Sequence, residues 1–231
     1  MARENTARRL AAILSADVVG YSRLMGVDEA GTLGALRAHR AELIEPTIAG
    51  HNGRIVKLMG DGLLVEFASA IDAVECAVAI QQGMEARNAN VPGERVIVFR
   101  IGINLGDVII DGDDIYGDGV NVAARLQDLA EPGGVHVSGT IFEQVDGKVD
   151  QSFVDLGNQQ IKNINKLVRV YSVSLASASS VAEQRPMLDM VGRKKVPVTG
   201  YVPFLNHGSW RWRRRSSPGG FTITCFPMPR R

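Results

Sequence analysis

Two aspartates lie where β-prone runs end, so the chain could place two carboxylates side by side. Asp17 is near the end of the apolar run 10–19, and Asp61 separates the strand-like runs 54–59 and 63–67. An Asp-Gly step between such runs is a strong hairpin signal. Each aspartate alone is ordinary turn chemistry. On neighbouring strand ends, however, two carboxylates disfavour each other unless a cation neutralises them, which predicts a site for paired hard cations.

A second group of polar residues falls on a predicted helix over 119–129. Asn121 and Arg125 are four residues apart and therefore project from the same helical face. The other side of this helix carries Val120, Ala123 and Ala124. The polar pair is thus expected to face outward together, and the arginine fork matches phosphate oxygens. On a generic helix the same two residues would be solvated surface groups.

Alternating hairpins and helices must position these residues. Residues 10–19 predict a buried strand, 54–67 a hairpin, and 96–110 a second hairpin that turns at Gly106 and Asp107. Helices are expected over 28–50, 69–86 and 119–129, and a short one runs from the N-cap Ser138 to residue 144. Further strands are expected over 135–137, 149–156 and 168–173. This pattern predicts an α+β fold in which helices cover one mostly antiparallel sheet.

Charge divides the chain into two segments. The 231 residues contain 25 acidic and 26 basic side chains. Residues 1–173 contain 23 acidic and 16 basic side chains, whereas residues 174–231 contain 2 acidic and 10 basic ones. The two cysteines, Cys76 and Cys225, imply no disulfide framework and favour a reduced, cytoplasmic setting, although one bridge stays possible. No run of 18 apolar residues occurs, so a transmembrane segment is not expected.

The final segment, 174–231, lacks hydrophobic periodicity. Its composition predicts a basic, disordered C-terminal tail. The run 210–215 alternates tryptophan and arginine, so a patch for nucleic acid or anionic lipid is an alternative. A truncated or frame-altered end of a longer protein would have a similar composition. The sequence leaves these alternatives open, and nucleic-acid binding is not the expectation.

Taken in order, these elements resemble the class III nucleotidyl cyclases, in particular their bacterial members, over about residues 10–173. The resemblance implies that residues 1–173 form a catalytic domain with a ferredoxin-like antiparallel sheet sandwich. Asp17 and Asp61 match the two metal-binding aspartates of that family. The backbone carbonyl of Val18 is the further ligand that the family implies.

The resemblance also assigns substrate contacts. Lys57 and Asp114 match the pair that reads adenine, and Asn121 with Arg125 match the residues that orient the ribose and stabilise the transition state. Two further basic residues match phosphate-contacting positions: Arg100 and Lys162. The surroundings of Lys162 lack the glycines that many animal relatives carry.

The function that follows from the resemblance is an adenylate cyclase. It would convert ATP to 3′,5′-cyclic AMP and pyrophosphate in intracellular signalling, with two divalent cations, Mg²⁺ or Mn²⁺, as cofactors. In the family each site takes its metal aspartates and its adenine-reading residues from different subunits. A homodimer with two shared active sites is therefore expected.

Two rivals to this function remain. One is a non-enzymatic regulatory domain with the cyclase fold, although such relatives usually lose a metal aspartate or the transition-state arginine, and both are present here. The other is a guanylate cyclase, which Lys57 and Asp114 oppose. The sequence does not reveal the activating signal or the preferred metal.

Overall fold

The structure is a computed structural model that describes residues 7–161, 166–177, 210–217 and 220–227. The chain forms two compact units, Met1–Pro186 and Met187–Arg231. The first unit contains the predicted sheet and helices, and the second contains a separate pair of strands.

An eight-stranded sheet is the frame of the first unit. Its strands are β1 (Arg8–Val18), β2 (Arg54–Met59), β3 (Gly62–Phe67), β4 (Phe99–Asp111), β5 (Asp114–Tyr116), β6 (Val135–Ser138), β7 (Gln151–Gln160) and β8 (Leu167–Ser177). Seven strands pair in the order β2-β3-β1-β4-β6-β8-β7, and β5 pairs with β4 beyond this path. Among the described strands of this sheet, only β4 and β6 pair in parallel. The predicted α+β class with a mostly antiparallel sheet is confirmed.

Six α-helices accompany the sheet in the described residues. They are α1 (Tyr21–Val27), α2 (Glu29–His39), α3 (Glu45–Gly50), α4 (Ala70–Asn88), α5 (Asp118–Leu129) and α6 (Gly139–Val145). The single helix expected over 28–50 is α2 and α3 joined by a π-helical turn at Arg40–Ile44. The Asp28 side chain accepts a hydrogen bond from the Gly31 amide and caps α2, which separates α2 from the unpredicted α1.

The two faces of β1 serve different layers, because its side chains alternate across the sheet. One face carries Ala12, Leu14, Ala16 and Val18, which join the main core with buried residues of α1 to α4 and α6. The opposite face carries Ala11 and Ile13, which pack with residues of α5, β4 and β5. Helix α5 and strand β5 therefore cover the face of the sheet that the main helical layer leaves free.

The hairpin predicted over 96–110 is wrong. Gly106 and Asp107 do not form a turn: β4 continues through them to Asp111. Strand β1 pairs with β4 over its whole length, with Ala11 opposite Gly106 and Leu10 opposite Asp107, so long-range pairing overrides the local turn signal. Gly106 allows close approach, since a Cβ there would lie 2.9 Å from the Cα of Gly119 in α5.

The second unit contains two antiparallel strands, β9 (Trp210–Ser217) and β10 (Gly220–Pro227). They lie in the segment predicted to be a basic, disordered tail, most of which is outside the described residues. Strand β10 is rich in aromatic and β-branched residues, the types that favour strands, although no period marks the segment.

Candidate active site

The two predicted carboxylates come together at one end of the sheet. Asp17 lies at the end of β1, where Ala16 pairs with Leu63 of β3, and Asp61 occupies the tip of the β2–β3 hairpin. Burial raises the pKa of Asp61 from 3.8 to about 6, and a hydrogen bond with the Asp17 carboxyl adds to the rise. Two carboxyl groups in such contact favour a proton or a cation between them.

Arg100 completes this group, called here the carboxylate cluster (Asp17, Asp61 and Arg100). It faces Asp17 across the β1–β4 pairing, and its guanidinium lies 3.3 Å from the Asp17 carboxylate. It also donates to the Asp128 backbone carbonyl at 3.4 Å. Both side chains of the ion pair keep more than a quarter of their surface exposed, so an anionic ligand could reach the guanidinium.

A residue that the sequence did not reveal supports the hairpin tip. Arg40, in the π-helical turn, donates from its guanidinium to the carbonyl of Gly60 at 2.5 Å, and its charge opposes the rise in the pKa of Asp61. No sequence motif links two residues twenty positions apart in this way. π-Helical turns occur frequently at functional sites, so the turn draws attention to Arg40 once the structure is known.

The predicted base-reading residues form a second group, which β2 and β5 carry. The Lys57 ammonium of β2 lies 2.7 Å from the carboxylate of Asp114, the first residue of β5. Hydrogen bonding between the two raises the pKa of Lys57 and lowers the pKa of Asp114. Lysine and aspartate are therefore both charged near neutral pH, and they are presented together on one chain.

Two further donors fix the Asp114 carboxylate. The Tyr116 hydroxyl donates to one oxygen at 3.0 Å, and the Ile115 backbone amide donates to the other at 3.0 Å. Tyr116 is not among the predicted site residues. The available signal was its spacing, because residues two apart in a strand project from the same face.

Helix α5 presents Asn121 and Arg125 as predicted. It buries Gly119, Ala123, Leu126 and Gln127 against the sheet. On its other side Asn121 is exposed, and Arg125 is half-buried and pairs with Asp128 at 3.0 Å. The two side chains therefore share the face directed away from the core.

The predicted residues fall into separate groups within one chain. Among the described residues, no hydrogen bond or ion pair joins Lys57 or Asp114 to the carboxylate cluster. Arg125 likewise pairs with Asp128 rather than with Asp17 or Asp61. The predicted Lys162 lies outside the described residues.

The carboxylate cluster fits a magnesium or manganese ion that is shared with a substrate. The described residues contain no group of three or more His, Cys, Asp or Glu side chains that could hold a metal alone. Mg²⁺ is commonly bound by one or two carboxylates together with substrate phosphates and water. The adjacent Asp17 and Asp61 match that donor set, and the carbonyl of Val18 stays a predicted further ligand.

Within the described part of the chain, no helix combines the length and the apolar character that crossing a membrane requires.

Sequence comparison assigns most of the chain to one family. The family model described as adenylate and guanylate cyclase catalytic domain matches residues 5–174. Among curated proteins, putative adenylate cyclase 3 of Rhizobium meliloti is 53% identical over 174 residues. That alignment covers 75% of this chain and 30% of the relative, so the chain spans less than a third of that protein's length.

Solved structures agree with this assignment. The adenylate/guanylate cyclase/hydrolase from Silicibacter pomeroyi is 46% identical, with a TM-score of 0.69 over 73% of this chain and 98% of that one. The guanylyl cyclase Cya2 is 26% identical, with a TM-score of 0.64 over 73% of this chain and 93% of that one. Relatives thus carry both substrate names, and the choice between them must come from the site.

Proposed function

Because the chain belongs to the family of adenylate and guanylate cyclase catalytic domains, we propose that it is an adenylate cyclase that converts ATP to 3′,5′-cyclic AMP and pyrophosphate. The single observation that carries the choice of ATP is the Lys57–Asp114 pair, assembled at 2.7 Å with its carboxylate fixed by Tyr116. The family alone leaves adenine and guanine open.

The polarity of the pair favours adenine. Adenine offers an amino donor beside the N1 acceptor, whereas guanine offers a carbonyl and an N–H at the same edge. Lys57 can donate to N1 while Asp114 accepts from the amino group. Guanine would place its N–H against the Lys57 ammonium and its carbonyl against the Asp114 carboxylate, so neither hydrogen bond could form.

The carboxylate cluster would hold the cofactors, two divalent cations that are Mg²⁺ or Mn²⁺, with Asp17, Asp61 and the Val18 carbonyl as protein ligands. When bound, they supply a lowered pKa for the ribose 3′-hydroxyl and neutralise charge on the departing pyrophosphate. Arg40 holds the hairpin tip that carries Asp61, through its bond to the Gly60 carbonyl. Both carboxylates must be ionised to serve as ligands.

Four side chains would act on the ribose and phosphates. Asn121 orients the ribose, and Arg125 meets the negative charge that grows on the α-phosphate, where a fixed guanidinium stabilises the transition state. Arg100 and Lys162 contact the remaining phosphates. Arg100 pairs with Asp17 of its own chain, so phosphate binding would exchange or share that pair.

A homodimer with two shared sites would bring the separate groups together. Each site would combine Asp17, Asp61 and Arg100 of one protomer with Lys57, Asp114, Asn121 and Arg125 of its partner. The supporting observation is that the described residues of one chain show no direct contact between the carboxylate cluster and the Lys57–Asp114 pair. A two-fold axis makes the two sites equivalent, and this chain carries both sets.

The test is a cyclic nucleotide assay on the purified chain, with ATP and GTP compared under Mg²⁺ and Mn²⁺. We expect metal-dependent cyclic AMP formation, a clear preference for ATP and a rate per protomer that rises with protein concentration as dimers form. Asp61→Asn serves as the inactive control. A folded, dimeric protein that makes neither product in either metal would establish the regulatory-domain alternative, and a preference for GTP would establish the guanylate cyclase alternative.

A further inference from the structure

A buried carboxylate outside the carboxylate cluster lies on β3, the strand that pairs with the Lys57 strand β2. Glu66 of β3 is only 4% exposed and sits on the sheet face that α5 and β5 cover. Two half-exposed arginines neutralise it: Arg9 of β1 at 2.5 Å and Arg54 of β2 at 2.7 Å. A buried charge is tolerated when it is paired in this way, and loss of its partners is costly.

Arg54 does more than neutralise this charge. It is the cross-strand partner of Glu66, and both its Nε and a terminal nitrogen donate to the same carboxylate oxygen, at 3.2 and 2.7 Å. The other terminal nitrogen donates to the backbone carbonyl of Asp113 at 3.0 Å. Asp113 lies in the β4–β5 turn and directly precedes Asp114. One guanidinium thus joins β3 to the turn that carries the base-reading aspartate.

The β4–β5 turn has few other restraints. Strand β5 is three residues long and pairs with β4 through three residue pairs. Gly112 in the turn has φ +60°, and a Cβ added there would contact nothing within 4 Å. A hairpin this short is marginal by itself, so the position of Asp114 depends on burial of the neighbouring Ile115 side chain and on contacts from β2. Strand β2 supplies two such contacts, from Arg54 to the Asp113 carbonyl and from Lys57 to the Asp114 carboxylate.

We propose that Arg54, held in place by the buried Glu66, is a positioning residue that sets the distance between Lys57 and Asp114 and thereby determines the preference for adenine. The proposal rests on the proposed function, because it concerns the base-reading part of the same site. Neutralisation of Glu66 does not by itself require the bond to Asp113, since Arg9 already pairs with the same carboxylate. A rigid guanidinium fork can hold both partners at once, whereas a lysine ammonium cannot reproduce that geometry.

The principal test is the conservative variant Arg54→Lys, assayed for kcat and KM with ATP and with GTP. We expect KM for ATP to rise about five- to tenfold with kcat within twofold, and the ATP preference to fall by a similar factor, as the loss of one hydrogen bond predicts. Arg169→Lys is the matched control, because Arg169 pairs with Asp155 across β8 and β7, at the far edge of the sheet from β2. An ATP preference in Arg54→Lys equal to that of the control would overturn the proposal.

A double-mutant cycle separates positioning from general stabilisation. If Arg54 acts through Asp114, then Arg54→Lys should change the ATP preference of the parent but leave that of Asp114→Asn unaltered. Equal effects in both backgrounds would show a merely structural role. Glu66→Gln, which keeps the shape of the side chain, should give a smaller change in the same direction, and it is the variant to use if Arg54→Lys does not fold.

Binding measurements distinguish failure of this inference from failure of the proposed function. If the parent makes no cyclic nucleotide, the proposed function fails, and equilibrium binding of fluorescent ATP and GTP analogues to parent and Arg54→Lys then decides the inference. A selective loss of affinity for the ATP analogue in Arg54→Lys supports positioning. Equal affinities of parent and variant for both analogues contradict it.

Discussion

The Asp114 carboxylate accepts hydrogen bonds from the Lys57 ammonium, the Tyr116 hydroxyl and the Ile115 amide. A carboxylate held on both oxygens presents its remaining lone pairs in fixed directions, and fixed acceptors discriminate between bases better than mobile ones do. Lys57 keeps two further N–H donors after its bond to Asp114. The pair can therefore offer one donor and one acceptor to a base without first coming apart.

Exchange of the base-reading pair should change the substrate. We expect Lys57→Glu combined with Asp114→Cys to lower kcat/KM for ATP by about 100-fold and to shift preference towards GTP, because the hydrogen-bonding polarity of the site is reversed. The measurement is product formation from each nucleotide, with Lys148→Gln as an exposed control for the net loss of one positive charge. A double variant that still prefers ATP as the parent does would refute the assignment of this pair.

The carboxylate cluster should destabilise the metal-free protein above pH 6. The pKa of Asp61 is raised to about 6 in the folded chain from 3.8, mainly by burial and then by Asp17, so the folded state binds this proton more tightly than the unfolded state does. The free energy of unfolding then falls as pH rises from about 4 through about 6. Asp61→Asn removes this loss.

Thermal unfolding of the two proteins in a metal chelator is the corresponding measurement. Asp61→Asn should melt a few degrees above the parent at pH 7.5 and close to it at pH 4. Millimolar Mn²⁺ should raise the Tm of the parent but not that of the variant. A parent that melts above the variant at pH 7.5 without metal would contradict the raised pKa.

At the scale of elements, short-range patterns account for most of the fold. The β2–β3 hairpin, α4, α5 and the Ser138-capped α6 follow their local signals. The predicted hairpin at β4 failed, because Gly106 and Asp107 carry turn chemistry but pair with β1 instead, a long-range contact that no local window contains.

The same limit applies to the candidate site. Residue types and spacing predicted the paired carboxylates and the outward face of α5, whereas the base-reading role of Lys57 and Asp114 came from the family resemblance and stays a prediction. Arg40, Arg54 and Tyr116 were not found, because their roles depend on the π-helical turn that reaches the hairpin tip and on β5 lying over β2. Such contacts follow from how the sheet is covered, which spacing along the chain does not encode.

The contact between α5 and β4 should tolerate no side chain at Gly102. A Cβ at Gly102 of β4 would lie 2.2 Å from the backbone nitrogen of Gln127 and 2.3 Å from the carbonyl of Ala123. We expect Gly102→Ala to lower the free energy of unfolding by about 3 kcal/mol or more, which corresponds to a Tm decrease of roughly 6–12 °C. The same substitution should displace the helix that carries Asn121 and Arg125.

The control for this prediction is another glycine in regular structure. Gly34 lies in α2, and a Cβ there would meet nothing within 4 Å. Gly34→Ala should therefore raise the free energy of unfolding by up to about 1 kcal/mol, the difference in helix propensity. Similar Tm values for the two alanine variants would show that α5 does not depend on the close contact.

At the scale of the whole molecule, the unit that would perform catalysis is a pair of chains. The carboxylate cluster lies at the C-terminal end of β1, and the base-reading pair lies across β2 and β5 on the face that α5 covers. In the proposed two-fold dimer, one chain would carry two half-sites, and each would face the complementary half of the partner.

Complementation between inactive variants tests this arrangement. Asp17→Ala and Arg125→Ala should each be inactive, yet an equimolar mixture should regain about a quarter of the parent activity, because random pairing gives half heterodimers with one intact site in two. The control mixture is Asp17→Ala with Asp61→Asn, which damages the same half-site in both chains and should stay inactive. Absence of recovery in the first mixture, with heterodimers confirmed by co-purification of differently tagged chains, would rule out shared sites.

The unbroken β1–β4 pairing has a mechanical consequence. Eleven consecutive residue pairs, from Arg8 with Ile109 to Val18 with Phe99, join the strands that lead to both half-sites. At about 3.4 Å per residue the paired segment is about 34 Å long, and its continuous hydrogen bonding resists bending. In the proposed dimer, the gap between base and phosphate sites then changes mainly by rotation of one protomer against the other. In that dimer, a rotation of one protomer by about 3° would move the far end of the paired segment by about 2 Å, a displacement large enough to switch catalysis.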